Sequence, residues 1–170
     1  FNAASSQYAQ TNTSLSSMST WSVGVWHYYT GTNVGPYPTI LTEVYPSITN
    51  NINYSLGWNY TTNFINAGFF NGAWRNTTGF APTLNTWYHI VGTYDGSTIK
   101  QYVNNSLNTQ LSYTGTPTSG GQVRIAGRWD DLVLTTDFFP GDIGVVRIWN
   151  SALTSSNVSA LYSENSSRFV

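Results

Sequence analysis

Thr86–Leu107 reads TWYHIVGTYDGSTIKQYVNNSL. Two apolar strands flank Asp95-Gly96, and a second tight turn follows at Asn104-Asn105. Asp and Gly accept the positive φ that turns matching strand twist require, so Asp95-Gly96 predicts a hairpin. Side chains alternate along a strand. Tyr88, Ile90, Gly92 and Tyr94 therefore share one face of the first strand, and Trp87, His89, Val91 and Thr93 share the other. Both faces are largely apolar, as expected of a strand inside a packed sheet.

Outward from this hairpin, strand signals recur and helix signals are scarce. Trp21–Tyr29 (WSVGVWHYY) sets Trp21, Val23, Val25, His27 and Tyr29 against Ser22, Gly24, Trp26 and Tyr28. Thr39–Val44, Tyr54–Asn59, Asn66–Ala73, Val123–Gly127 and Ile143–Asn150 are further strands, and Gln110–Tyr113 is an edge candidate. Thr114–Gly121, rich in Thr, Ser, Gly and Pro, reads as a loop. One helix is predicted over Ser155–Ser163. Thr154 or Ser155 can cap it, and Val158, Leu161 and Tyr162 form its apolar stripe. Short strands separated by polar turns predict an all-β, two-sheet antiparallel sandwich with one short C-terminal helix.

The hairpin resembles that of the laminin-G-like, concanavalin-A-like lectin/glucanase superfamily. That family shows a Trp–His strand, a Tyr-Asp-Gly turn and a Tyr-Val-Asn/Asp-Gly end. Here these are Trp87, His89, Tyr94-Asp95-Gly96 and Tyr102-Val103-Asn104, with Asn105 in place of the usual Gly. Phe1–Gln10 is similar to the family's opening strand. Gly121–Gly127 (GQVRIAG) with Phe139–Tyr162 is similar to its closing segment, although the acidic residue common there is replaced by Gly144-Val145. The resemblance implies a jelly-roll fold, and carbohydrate as the ligand class.

At 170 residues, the length predicts one domain over 1–170, large enough to bury a core. It begins with Phe, which suggests a module or a mature fragment of a longer chain. Charged residues make up 8%, against roughly 25% in an average soluble domain. Six Lys+Arg face seven Asp+Glu and form no basic stripe, which argues against a nucleic-acid partner. No apolar run nears the roughly 20 residues that span a bilayer, so membrane insertion is not expected. Cysteine is absent. These features fit a disulfide-free extracellular or virion-surface protein. A surface of Asn, Ser, Thr and Tyr with little charge repulsion also favours self-association.

Catalysis by a glycosidase needs two carboxylates flanking the bond to be cleaved. The family's Glu-x-Asp-x-x-Glu pattern is absent. Glu43 has no second carboxylate nearby in sequence, and Glu164 trails the helix. His27 and His89 lie on aromatic strands and read as satisfied core residues. The expectation is a non-enzymatic domain with no catalytic residue.

The predicted loop around Trp129 carries the sequence's best binding set. Trp129 offers an aromatic face for a sugar, and Arg128, Asp130 and Asp131 offer polar contacts. Asp130, Asp131 and Asp137 supply hard oxygens of the kind calcium takes. Related laminin-G-like and pentraxin-like domains hold calcium at such loops. An ion network of these aspartates and Asp142 with Arg124, Arg128 and Arg147 is the alternative. Two further sugar-binding sets are Trp58-Asn59-Tyr60 and Trp74-Arg75-Asn76, though most Trp residues in a sandwich belong to the core. Asn12, Asn53, Asn59, Asn76, Asn104, Asn157 and Asn165 begin Asn-x-Ser/Thr sequons, close to what this composition supplies by chance.

The expected function is therefore binding or adhesion, with carbohydrate or a glycoconjugate as partner. The alternative is a structural or decoration subunit of a virus particle or extracellular filament, whose partner is another copy or another structural protein.

Overall fold

The computed structural model describes residues 1–31, 38–44, 52–59, 62–117, 120–127 and 137–169. After a short 3-10 turn at Ala3–Ser5, the strands are β1 (Ala9–Gln10), β2 (Trp21–Tyr29), β3 (Thr39–Val44), β4 (Ile52–Asn59), β5 (Phe64–Phe70) and β6 (Trp74–Asn76). They continue with β7 (Trp87–Tyr94), β8 (Thr98–Val103), β9 (Ser106–Ser112), β10 (Gln122–Ile125) and β11 (Gly141–Trp149). Helix α1 spans Ser155–Asn165. One sheet has the order β1-β10-β3-β4-β5-β6, and the other β11-β2-β7-β8-β9. Every strand ladder is antiparallel. The expected two-sheet sandwich with a C-terminal helix is the observed fold.

The central hairpin forms as the sequence predicts. Asp95 Oδ1 accepts from the backbone N–H of Ser97 (2.9 Å) and Thr98 (2.8 Å), which closes the first turn. Asn104 and Asn105 both have positive φ, 45° and 72°, the conformation that Asn tolerates best after Gly. The Asn104 side chain accepts from His89 N–H at 2.9 Å. Alternation then sends Trp21, Val23 and Val25 of β2 and Ile90 and Tyr94 of β7 between the sheets. Trp21 sits fully buried against Tyr54, Phe69 and Tyr94, with ring centroids 6.0–6.4 Å apart. Burying such aromatic surface is the main stabilising contribution to a sandwich of this size.

Three elements differ from the sequence reading. The strand predicted over Asn66–Ala73 is β5, which starts at Phe64 and ends at Phe70 before a turn at Gly72; the short edge strand β6 that follows was not predicted. The edge strand expected at Gln110–Tyr113 begins earlier, at Ser106, directly after the Asn-Asn turn. Helix α1 continues to Asn165, and Thr154 is its cap in a reciprocal pair with Asn157.

The two outer faces are treated differently. Over the five-stranded sheet, Val158 of α1 packs on Val91 and Tyr102. Tyr162 stacks on Trp26 at 5.5 Å, and Phe169 on Trp26 at 4.9 Å and Trp87 at 4.7 Å. A Cβ at Gly144 would meet the Phe169 ring at 2.7 Å. A larger side chain there would displace the Phe169 ring. No helix lies on the outer face of the six-stranded sheet among the described residues. No described helix is long and apolar enough to cross a membrane.

Candidate functional site

The outer face of the six-stranded sheet follows from alternation. In β4, Tyr54, Leu56 and Trp58 join the core, which turns Ser55, Gly57 and Asn59 outward. In β5, Ile65, Ala67 and Phe69 point inward, which turns Asn66 and Gly68 outward. Register then assembles two rows across the strands. Thr39, Gly57 and Asn66 are opposite one another, and so are Thr42, Ser55, Gly68 and Asn76. Trp74 lies two residues before Asn76 on the same face.

These rows form a groove of about 370 Å³ lined by Thr39, Ser55, Gly57, Trp58, Asn59, Asn66, Trp74 and Asn76. It crosses four adjacent strands, a distance of roughly 14 Å at standard strand spacing. The floor is buried, with Thr39 3% and Ser55 7% exposed, whereas the Trp74 indole at the sheet edge is 39% exposed. Two glycines make the depth. A Cβ at Gly68 would overlap Asn76 Oδ1 and the Arg75 carbonyl oxygen, so glycine is what lets β6 lie against β5. A Cβ at Gly57 would meet only the Ser55 and Thr39 hydroxyls, at 3.3 and 3.7 Å. Glycine at 57 keeps the floor open and is not demanded by packing. Asn76 Oδ1 is buried without a hydrogen-bond partner among the described residues.

Among the side chains lining the groove, amides and hydroxyls both donate and accept, which suits ligand hydroxyl groups. The exposed indole offers an apolar face. None of them is ionisable.

The sequence-derived sites fare unevenly. Arg128, Trp129, Asp130, Asp131 and Tyr60 lie outside the described residues. Asp137 is buried, and its carbonyl accepts from Thr39 N–H at 3.3 Å. Gly127 bridges Phe138, which in turn bridges Thr39. Gly127, Asp137 and Phe138 thus lie at the Thr39 end of the groove. No group of three metal-ligating side chains occurs among the described residues.

The set Trp74-Arg75-Asn76 is split by its own strand. Trp74 and Asn76 enter the groove. Arg75 turns to the other side, its guanidinium 4.4 Å from the Tyr113 ring and its Nε–H 3.4 Å from Asn71 Oδ1. From Trp58-Asn59-Tyr60, both Asn59 and Trp58 line the groove, but the Trp58 ring is buried and stacks on Tyr29 at 4.7 Å. Asn66, Ser55, Gly57 and Thr39 were missed. Their only signal was the period-two alternation, which assigns a face but not a partner.

The described charged residues have further partners of their own. Arg147 pairs bidentately with Glu164, at 2.7 and 3.0 Å, rather than with the aspartates the sequence suggested. Arg124 is fully buried, its Nε–H donating to Gln10 Oε1 at 3.0 Å beneath the Tyr8 ring. Desolvation lowers the Arg124 guanidinium to about 10. Glu43 is fully enclosed; it accepts from Asn53 Nδ2 at 3.2 Å and from Gly121 N–H. Burial pushes its carboxyl above the usual carboxylate range. Burial and the Glu43 charge push the neighbouring Tyr54 phenol up. The other glutamate belongs to the opposite sheet's helix, so the two carboxylates do not form the flanking pair that glycosidic cleavage requires.

His27 and His89 are buried as expected, but not satisfied. Both His27 nitrogens and His89 Nδ1 have no hydrogen-bond partner among the described residues. Desolvation lowers His27 to about 3 and His89 to about 4. His27 is held by ring contacts with Tyr88 and Phe139 instead.

The sequons also separate by environment. Asn12, Asn104 and Asn157 are exposed, and Asn59 and Asn76 are half-buried in the groove. Asn53 is fully buried and Asn165 is 4% exposed, its Nδ2 donating to Leu161 O. A glycan on either of these two is incompatible with the packed fold.

Solved structures share this architecture. A native heptameric SAP-like pentraxin from Limulus polyphemus matches with a TM-score of 0.71 at 17% identity, over 91% of this chain and 75% of its own. The CBM40 of a Ruminococcus gnavus IT-sialidase, bound to alpha2,3 sialyllactose, matches with 0.69 at 11%, over 92% and 96%. Domain 4 of an extracellular arabinanase from Geobacillus stearothermophilus, in complex with arabinotriose, matches with 0.62 at 22%, over 86% and 68%. At these identities the likeness establishes the fold alone. No curated protein shows significant sequence similarity to the chain. The family described as the concanavalin A-like lectin/glucanases superfamily matches residues 3–159. With nearly the whole chain matched and both sheets in place, the protein belongs to the concanavalin A-like lectin/glucanase superfamily.

Proposed function

We propose that this chain is a non-catalytic carbohydrate-binding module of an extracellular or surface-displayed protein, and that the groove across β3–β6 holds the glycan. The carrying observation is the lining itself. Three Asn amides, two hydroxyls and an exposed indole converge on a glycine floor, which matches a sugar's mixed polar rim and apolar ring face. Similar folds in complex with sialyllactose and arabinotriose support the ligand class. Arg128, Trp129, Asp130 and Asp131 are proposed as a second set of contacts, because Gly127 and Asp137, which flank them in sequence, lie by the Thr39 end of the groove. Calcium held by Asp130, Asp131 and Asp137 is a separable part of that proposal.

The test is a glycan array followed by titration of the best ligand. Specific hits that Trp74→Ala weakens at least about tenfold, a loss of about 1.4 kcal/mol, support the groove. Hits lost in Trp129→Ala but kept in Trp74→Ala move the site to the loop. No hits, with self-assembled particles in solution, favour a structural subunit instead.

A further inference from the structure

We propose that the groove selects uncharged glycans and excludes acidic ones, an inference that rests on the groove being the glycan site. All eight lining residues are neutral. The neighbouring cations are turned away or committed. Arg75 sits on the opposite face of its strand over Tyr113. Arg124 shares the outer face but is fully buried beneath Tyr8. Lys100, Arg147 and Arg168 belong to the other sheet and the C-terminal segment. Arg128 is the single cation outside the described residues.

An acidic sugar seated on this floor would lose water from its carboxylate and gain no counter-charge from the eight lining residues. Burying an unpaired charge is far costlier than burying a hydroxyl that finds an amide. Asn59, Asn66 and Asn76 can each give a hydroxyl both a donor and an acceptor. Contacts made with this lining depend little on pH or salt, because none of its groups titrates or forms an ion pair.

The experiment uses the 170-residue chain and an array pairing each neutral oligosaccharide with its sialylated, sulfated and uronate-bearing counterparts. The leading neutral hit is then titrated at salt of about 0.01 and about 1 M, where screening lengths fall from roughly 30 to 3 Å. Neutral ligands should bind, their acidic counterparts should bind at least about tenfold more weakly, and salt should change the affinity of the neutral ligand less than about twofold. Hits confined to acidic glycans, weakening steeply with salt, overturn charge-free selection while leaving carbohydrate binding intact. If Arg128→Gln abolishes them, Arg128 is the cation responsible. Absence of binding to any glycan defeats the groove reading itself. An Asn66→Lys variant should gain affinity for acidic glycans in a salt-dependent way; an unchanged selectivity profile there places the ligand elsewhere.

Discussion

Replacing Gly57 by Val separates the groove's function from the fold. The Gly57 backbone is not in the left-handed region, and an added Cβ meets only the Ser55 hydroxyl at 3.3 Å and the Thr39 hydroxyl at 3.7 Å. The Ser55 Oγ has to give by a few tenths of an ångström. Val is favoured over Gly in strands and restricts the unfolded chain, each by up to about 1 kcal/mol. These gains offset that adjustment, so stability should stay within about 1 kcal/mol of the parent. Binding should not survive so well. The branched side chain occupies the floor of a 370 Å³ groove and lifts a ligand away from Asn59, Asn66 and Trp74. Losing two amide hydrogen bonds at about 0.5–1.5 kcal/mol each and stacking at about 0.5–1.5 kcal/mol totals roughly 1.5–4.5 kcal/mol. That is about 10- to 2,000-fold in affinity. Calorimetric titration with the best array ligand measures the loss, and a melting curve on the same sample checks the fold. A native melt with unchanged affinity refutes the groove as the site. A variant that fails to fold refutes the geometric claim that position 57 has room.

Gly68→Ala is the converse experiment. Its Cβ overlaps Asn76 Oδ1 and backbone of β6, an overpacking cost of about 1–3 kcal/mol. The midpoint of a thermal melt should fall by roughly 2–12 °C; an unchanged melt would mean that β6 does not sit against β5 as described. Acid sensitivity should come from His27 and His89, whose folded values near 3 and 4 lie below the unfolded value of about 6.5. Below about pH 6.5 the unfolded chain binds protons that the native state refuses, so stability is full above that pH and falls as pH drops. Glu43, whose folded value is raised, acts with the opposite sign and softens the fall. His27→Phe, placed between Tyr88 and Phe139, should flatten the decline in melting temperature from about pH 7 to about pH 5; an undiminished decline would exonerate His27. If calcium occupies Asp130, Asp131 and Asp137, chelator should lower both the melting temperature and glycan affinity. A chelator without effect on either removes the metal from the proposal. If a glycosylating host is used, intact mass should show occupancy at Asn12, Asn104 or Asn157 and none at Asn53 or Asn165.

The sequence by itself determined the fold. Thr86–Leu107 carried both turns and two apolar faces, and period-two alternation in Trp21–Tyr29 marked a strand buried in a sandwich. These are local properties: a turn depends on φ at two residues, and a face depends on parity along one strand. Thr154 as a helix cap was readable for the same reason. The groove was not legible, because its residues come from four strands between positions 39 and 76. Parity placed Gly57 and Asn66 on some face, but only register set them opposite each other and opposite Thr39. Trp74 and Asn76 share the groove, but the pleat turns Arg75, between them in sequence, toward Tyr113. The histidines were correctly placed in the core, but whether a buried nitrogen finds a partner depends on every element packed around it. Local chemistry chose the strands; the pairing of distant strands chose which side chains share a surface, and that pairing made the site.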